Sequence, residues 1–149
     1  MTAELNRQRV LNMFEMFYAG DVEGALARCT EDVEFFSNAP IDIIPHLGGH
    51  RGIPALRGMW ETVHQRYKDT RYEIQSMVAE DDKVAVLIRL FFRKRSNDRT
   101  VQFDLAIFFT LRGGKIAHIR EVIDTFDLVE QVLERDLSAL LTGKQVGDT

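Results

Sequence analysis

Cysteine, proline and an excess of basic charge are all scarce in this sequence, and each shortage removes a class of protein. The single cysteine, Cys29, has no partner within the chain, so no disulfide framework holds the fold. At an apolar position of a helical stripe it reads as core packing in a reducing compartment. With three prolines in 149 residues, and 45% hydrophobic against 28% charged residues, the chain is neither disordered nor fibrous. A net charge of −4 opposes the phosphate neutralisation on which nucleic-acid binding depends. Arg93, Lys94, Arg95 and Arg99 do cluster, but they flank Ser96, Asn97 and Asp98 and read as a solvated hairpin tip. The N-terminal stretch lacks the unbroken apolar run of a signal peptide or spanning helix, so a cytoplasmic protein without membrane contact is expected. Glycine-rich phosphate loops, nucleophile elbows and paired-cysteine motifs are also missing, which leaves covalent nucleophilic catalysis without a candidate.

What is present suits one domain spanning residues 1–149, since a chain of this length buries roughly 68–70% of its unfolded surface. Val10, Met13, Phe14, Phe17 and Tyr18 recur at helical spacing before Gly20, and Asp21 is placed to cap a second helix with the stripe Val22, Ala25, Leu26 and Cys29. A short strand is expected from Val33 to Asn38. The stretch from Ala39 to Gly52 is too irregular for a regular element and reads as a loop crossing an opening. Leu56, Met59, Trp60, Val63 and Tyr67 mark a third helix. Four strands of an antiparallel meander follow, from Tyr72 to Val78, Val84 to Arg93, Thr100 to Leu111 and Ile116 to Ile123. Asp127 is placed to cap a last helix running through Leu141, and the tail from Thr142 is expected to fray. The pattern predicts an α+β fold in which a conical, curved sheet packs on N-terminal helices and a C-terminal helix closes it.

The informative anomaly is charge inside apolar strands. Alternation places Asp104 on one face with Ala106, Phe108 and Thr110, and Glu121 on one face with Ala117, Ile119 and Ile123. Arg89 interrupts the run from Val84 to Phe92 in the same way. Buried charges persist when they are paired, hydrogen-bonded or used, so Arg89, Asp104 and Glu121 are expected to converge inside the cone. There Arg89 would keep one carboxylate ionised while desolvation raised the proton affinity of the other, the basis of an acid/base pair. The bland alternative is a structural ion-pair network, or a face exposed at the edge of a dimer. Asp124 has the opposite parity to Glu121 unless a bulge intervenes, and would either end the strand and cap the last helix or reach the pocket. His46 and His50 are four apart, but Gly48 and Gly49 forbid a regular helix, so a metal site is not expected. His118, flanked on its face by Ile116 and Arg120, reads as half-exposed.

The run Gly20-Asp21-Val22-Glu23-Gly24-Ala25-Leu26, leading to Glu31-Asp32-Val33-Glu34-Phe35, and the later Gly114-Lys115-Ile116-Ala117-His118-Ile119-Arg120-Glu121 together resemble the nuclear transport factor 2-like superfamily. The chain looks most like its ketosteroid isomerase and SnoaL-like polyketide cyclase branch, with the similarity running from Val10 to Leu133. The resemblance implies a conical α+β barrel, a homodimer formed through the outer sheet surface, and a small apolar, polyketide-like or steroid-like ligand. The isomerase's catalytic residues are not retained. Ser37 stands where its aspartate base would be, and Ala106 and the neighbourhood of Met13 stand where its oxyanion donors would be. The limonene epoxide hydrolase branch uses an arginine between two acids. Glu121 matches one of those acids, Arg89 offers the arginine, and Asp104 is the nearest substitute for the second acid.

These readings combine into an expected acid/base isomerase, cyclase or hydratase that works in the cone without cofactor or metal. Glu121, Asp104 and Arg89 are its catalytic candidates. Ser37, Asn38, Trp60, Phe108 and Asp124 would line the pocket, with His46 on the loop at its mouth. The alternative is a non-catalytic ligand-binding or dimerisation module, whose cone would be filled by its own side chains.

Overall fold

The computed structural model describes residues 2–135 and 137–143. Helices α1 (Thr2–Tyr18) and α2 (Val22–Leu26) come first. Strands β1 (Cys29–Ser37) and β2 (Gly49–Arg51), helix α3 (Ile53–Arg66) and strands β3 (Tyr67–Glu80), β4 (Lys83–Lys94), β5 (Thr100–Arg112) and β6 (Lys115–Ile123) follow. Helices α4 (Thr125–Leu133) and α5 (Leu137–Leu141) close the described chain. The six strands form one curved, unclosed sheet in the order β2-β1-β6-β5-β4-β3. Among the described residues only β1 and β6 pair in parallel. None of the described helices is long and apolar enough to cross a membrane.

Strict alternation builds the sheet's two faces. In β4, Val84, Val86, Ile88, Leu90 and Phe92 are buried, and in β5 so are Val101, Phe103, Leu105, Ile107, Phe109 and Leu111. This inner face meets Val10, Met13 and Phe14 of α1, and Phe14 approaches Phe109 edge-on at 5.6 Å. The outer face carries Leu87, Phe108 and Val122 in the open. The apolar runs of β4 and β5 therefore do not mean a sheet covered on both sides within one chain, as their composition suggests.

Several boundaries differ from expectation, each for a local reason. The second helix stops at Leu26, and Cys29 and Thr30 already belong to β1, where Cys29 aligns with Ile116 of β6. The loop expected from Ala39 to Gly52 contains β2, whose His50 aligns with Phe35. The third strand begins at Tyr67 rather than Tyr72. Asp124, not Asp127, caps α4, its carboxylate accepting from the Asp127 amide at 3.1 Å. The single last helix is broken at Glu134, which adopts φ 58°. Its carboxylate there accepts from Lys94 at 3.1 Å and pairs with Arg99 at 3.0 Å. The basic hairpin tip is thus partly docked on the end of α4 rather than simply solvated. The expected frayed tail lies outside the described residues from position 144 onward.

Asn38 extends the parallel β1–β6 pair by one side chain, because its amide oxygen accepts from Ile123 N at 2.9 Å and its amide nitrogen donates to Ile123 O at 3.2 Å. Asn38→Ala removes both bonds and should lower the unfolding free energy by about 1–3 kcal/mol in a urea titration. A cost near zero would mean that solvent replaces the clamp.

Candidate active site

Glu121 reaches the interior by register. Across the β5–β6 ladder it lies opposite Ile107, and directly opposed residues in antiparallel strands share a face. Ile107 is fixed inward between Leu105 and Phe109, so Glu121 is inward too. A register shift at Thr110 and Leu111 lets Ile116 and Ala117 both be buried before regular alternation resumes through Ile119, Glu121 and Ile123. On the other side Glu121 aligns with Ser37 of β1.

The space that Glu121 faces is a cavity of about 100 Å³ bounded by α1, α3, the loop after β1 and the inner face of the sheet. Phe17, Phe35, Trp60, Tyr67, Phe92 and Phe103 give it an aromatic wall, with Leu105, Ile123 and Leu128 completing the apolar lining. Tyr18, His46, His64, Tyr67, Thr70 and Glu121, with the Trp60 indole N–H, carry the polar groups among the residues that bound it. Glu121 accepts no hydrogen bond and joins no ion pair among the described residues. Burial alone pushes its carboxyl up to about 7. Although the residue keeps a little accessible surface, that surface borders the cavity, so desolvation is the effect that wins.

Tyr18, at the end of α1, shares this environment. Its phenol is held well above the usual range, first by burial and then by the nearby Glu121 and Tyr72, so it remains an O–H donor. Its ring stacks on Tyr72 at 4.6 Å and meets Phe17 edge-on at 5.0 Å, which fixes its orientation. His46 and His64 are both lowered, chiefly by burial. Arg66 and His50 add to the effect at His46, and Arg95 adds to it at His64. Both rings are therefore neutral near pH 7. Among the described residues no three His, Cys, Asp or Glu side chains come together in a way that could hold a metal.

The expected convergence of three charges does not occur. Arg89 and Asp104 are directly opposed on β4 and β5 and form a bidentate pair at 2.8 and 3.2 Å, but on the outer face of the sheet. Each flanks inward residues, Arg89 between Ile88 and Leu90 and Asp104 between Phe103 and Leu105, so parity turns both outward. With their side chains 38% and 47% exposed, solvent and mutual pairing settle them. The pair lowers the proton affinity of Asp104 and raises that of Arg89, the opposite of a poised acid. Phe108 is likewise outward and 52% exposed, so it does not line the cavity. Asp124 is occupied in capping α4, and Asn38 in clamping Ile123. Ser37 is buried, but its hydroxyl accepts from Ala39 N at 3.2 Å and is not among the residues bounding the cavity. Of the ligand-site candidates, Trp60 and His46 do border it. Tyr18 and His64 went unnoticed as polar groups. Tyr18 lies within the apolar stripe of α1, and His64 is four residues after Trp60 on the same face of α3, a spacing that carries the signal.

Residues 10–119 match the family model of the SnoaL-like domain. No curated protein matches the chain in sequence. A Rhodopseudomonas palustris protein provisionally called an isomerase has a similar structure, with 24% identity and a TM-score of 0.80 over 91% of this chain and 100% of its own. An NTF2-like protein from Burkholderia xenovorans is 29% identical with a TM-score of 0.72, covering 87% of this chain and 97% of its own. An LEH-like epoxide hydrolase from M. tuberculosis is 16% identical with a TM-score of 0.72, covering 95% and 98%.

Because the folded protein holds the Glu121 proton up to about pH 7 while an unfolded glutamate releases it near 4.5, the folded state binds more protons between those values. Stability from this group is complete below pH 4.5 and declines as pH rises towards 7. Glu121→Gln cannot ionise, so across that window the variant should gain on the parent by up to about 3 kcal/mol. Urea titrations at a series of pH values check this, and parallel stability curves would contradict it.

Proposed function

Because the chain belongs to the SnoaL-like family, we propose that it is a small-molecule enzyme of the isomerase, cyclase or hydratase type, in which Glu121 moves a proton on an apolar carbonyl, enol or epoxide compound. The observation that carries this reading is one carboxyl, without a partner among the described residues, on the wall of an apolar cavity and poised near pH 7. Such a group is present in both protonation states at neutral pH and can take a proton and give one back. In an isomerisation, the Glu121 carboxylate takes the proton from the carbon beside the substrate carbonyl, and the C–H electron pair moves into an enolate. For a β,γ-unsaturated ketone this enolate is a dienolate: its oxygen accepts a hydrogen bond from the Tyr18 hydroxyl, and neutral Glu121 returns the proton to the γ carbon, which moves the double bond into conjugation. The aromatic wall excludes water and keeps both groups in a low-dielectric setting.

Cavity size sets the substrate. A volume near 100 Å³ is well below the roughly 300–1,000 Å³ of pockets for drug-sized ligands, which favours a compact ring over a steroid. A non-catalytic carrier is the second reading. It is favoured by the absence, among the described residues, of any ion pair that would orient the Glu121 carboxyl.

A homodimer through the outer sheet belongs to the same proposal. Leu87, Ala106 and Val122 stand in one row across β4, β5 and β6, with Phe108 beside them, and Leu87, Phe108 and Val122 are exposed. In sedimentation equilibrium the parent should behave as a dimer and Val122→Lys as a monomer; a monomeric parent sinks the assembly.

The test of the activity is a screen of small cyclic ketones, enones and epoxides against the purified chain. Glu121→Gln should reduce any turnover found by about 10²–10⁴-fold, the usual worth of a positioned acid/base. Asp104→Asn, on the outer face, should leave it unchanged. Turnover that survives Glu121→Gln removes Glu121 from the chemistry.

A further inference from the structure

The cations around the β4–β5 turn are not alike. Lys68 lies 2.9 Å from Asp98, Lys94 is 3.1 Å and Arg99 3.0 Å from the Glu134 carboxylate, and Arg93 stands between Asp69 and Asp98. Arg66 and Arg95 are exposed and have no acidic partner among the described residues. In a chain of net charge −4, acids were available to match them, as they match their neighbours.

The two arginines are neighbours, because the Arg95 backbone N–H donates to Arg66 O at 2.9 Å. Both line a groove of about 350 Å³ that has no carboxylate in its wall. Arg95 is also oriented. Its Nε donates to the backbone oxygens of His64 and Tyr67, at 3.2 Å each, which leaves both Nη groups unbonded among the described residues. Those two groups form a fork that can grip both oxygens of one carboxylate. The groove adjoins the cavity that Glu121 faces. Tyr67 borders both spaces, with its ring packed on Phe92 at 4.3 Å. The charge of Arg66 acts on His46 and that of Arg95 on His64, and both histidines border the cavity. Cations at the rim of an apolar cavity draw an anion towards it and offer a neutral molecule nothing.

Resting on the reading that the cavity takes a small molecule, we propose that this groove is a second subsite, in which Arg66 and Arg95 bind a carboxylate of the ligand. The ligand is then a compact ring compound with a short acidic side chain. Its ring lies in the cavity, and its carboxylate passes Tyr67 to reach the two guanidinium groups. Glu121 is left to act on the ring end of the same molecule.

3-Phenylpropanoate and 3-phenylpropan-1-ol share a ring and a chain length and differ in charge, so they separate the subsite from simple apolar filling. Trp60 is the only tryptophan and borders the cavity, so its fluorescence reports arrival of the ring independently of the carboxylate. Calorimetric titration of the full chain at low salt should show the acid binding at least about tenfold more tightly than the alcohol, since hydrogen bonds to charged groups outweigh neutral ones. The preference should shrink towards 1 M salt, where the screening length falls to about 3 Å. Arg66→Gln with Arg95→Gln should erase it and leave the affinity for the alcohol unchanged, whereas Glu121→Gln should keep it. Arg66→Gln alone removes no side-chain hydrogen bond found among the described residues, and should cut the preference about threefold, half of a tenfold effect on the logarithmic scale. That single variant keeps the test valid if the double variant does not fold. Equal affinity for the two probes, or a preference unmoved by Arg66→Gln, overturns the subsite, and a Trp60 response to the alcohol then leaves the cavity reading standing. Binding of the acid without a Trp60 response overturns the subsite too, by showing that the groove works apart from the cavity. Binding of neither probe overturns both the subsite and the ligand-binding reading.

Discussion

Ile107 faces Glu121 across the β5–β6 ladder, and Ile107 is itself held inward between Leu105 and Phe109, so the carboxyl has no choice of face. A one-residue slip would turn Glu121 to solvent and bring Arg120 or Val122 inside. The bulge at Ile116 and Ala117 absorbs the extra residue near the start of β6, before the pairing that carries the site. On the other side the parallel pairing with β1 fixes Ser37 opposite Glu121, and Asn38 clamps the end of that pair to Ile123. An ionisable group is thereby held in a place that its own solvation energy disfavours, by apolar neighbours on the same strands.

The contrast with Arg89 and Asp104 follows from the same alternation. All three charges interrupt apolar strands, yet two of them meet across a ladder on the exposed face, where pairing and water satisfy both. Glu121 has neither. Desolvation therefore decides its behaviour, and the neighbouring Tyr18 phenol is driven the same way, so that both groups tend to stay protonated. Among the described residues this enclosure of aromatic rings and two neutral imidazoles pairs the carboxyl with no cation, which separates this site from the arginine-between-acids arrangement that the sequence suggests.

The fold was legible because its signals are periodic. Residues Val10 to Tyr18 declare a helix, and the inner rows of β4 and β5 declare strands, whatever the rest of the chain does. Glu121 was legible for the same reason, as an odd member of an apolar row. Facing was not legible for Asp104, because a strand's parity says which residues share a face but not which face is covered. The outer sheet surface is apolar enough around Leu87, Phe108 and Val122 to imitate an interior. Ser37 does not line the pocket for a different reason, and of the two readings of Asp124 the cap holds: short polar side chains satisfy local backbone groups, a demand that takes Ser37 to Ala39 N and Asp124 to Asp127 N. His64 escaped because a histidine at helical spacing from Trp60 passes for a surface residue until Phe17 of α1 is seen to pack on its ring.

Burial, opposed by no cation among the described residues, sets the proton affinity of the Glu121 carboxyl. Selective ¹³C labelling of glutamate side chains, with an NMR titration of the Glu121 carboxyl carbon in the intact protein, measures that directly. A midpoint at about pH 7 is the result this account predicts. A midpoint near 4.5, the ordinary value for glutamate, would show that water reaches the carboxyl freely and would contradict it.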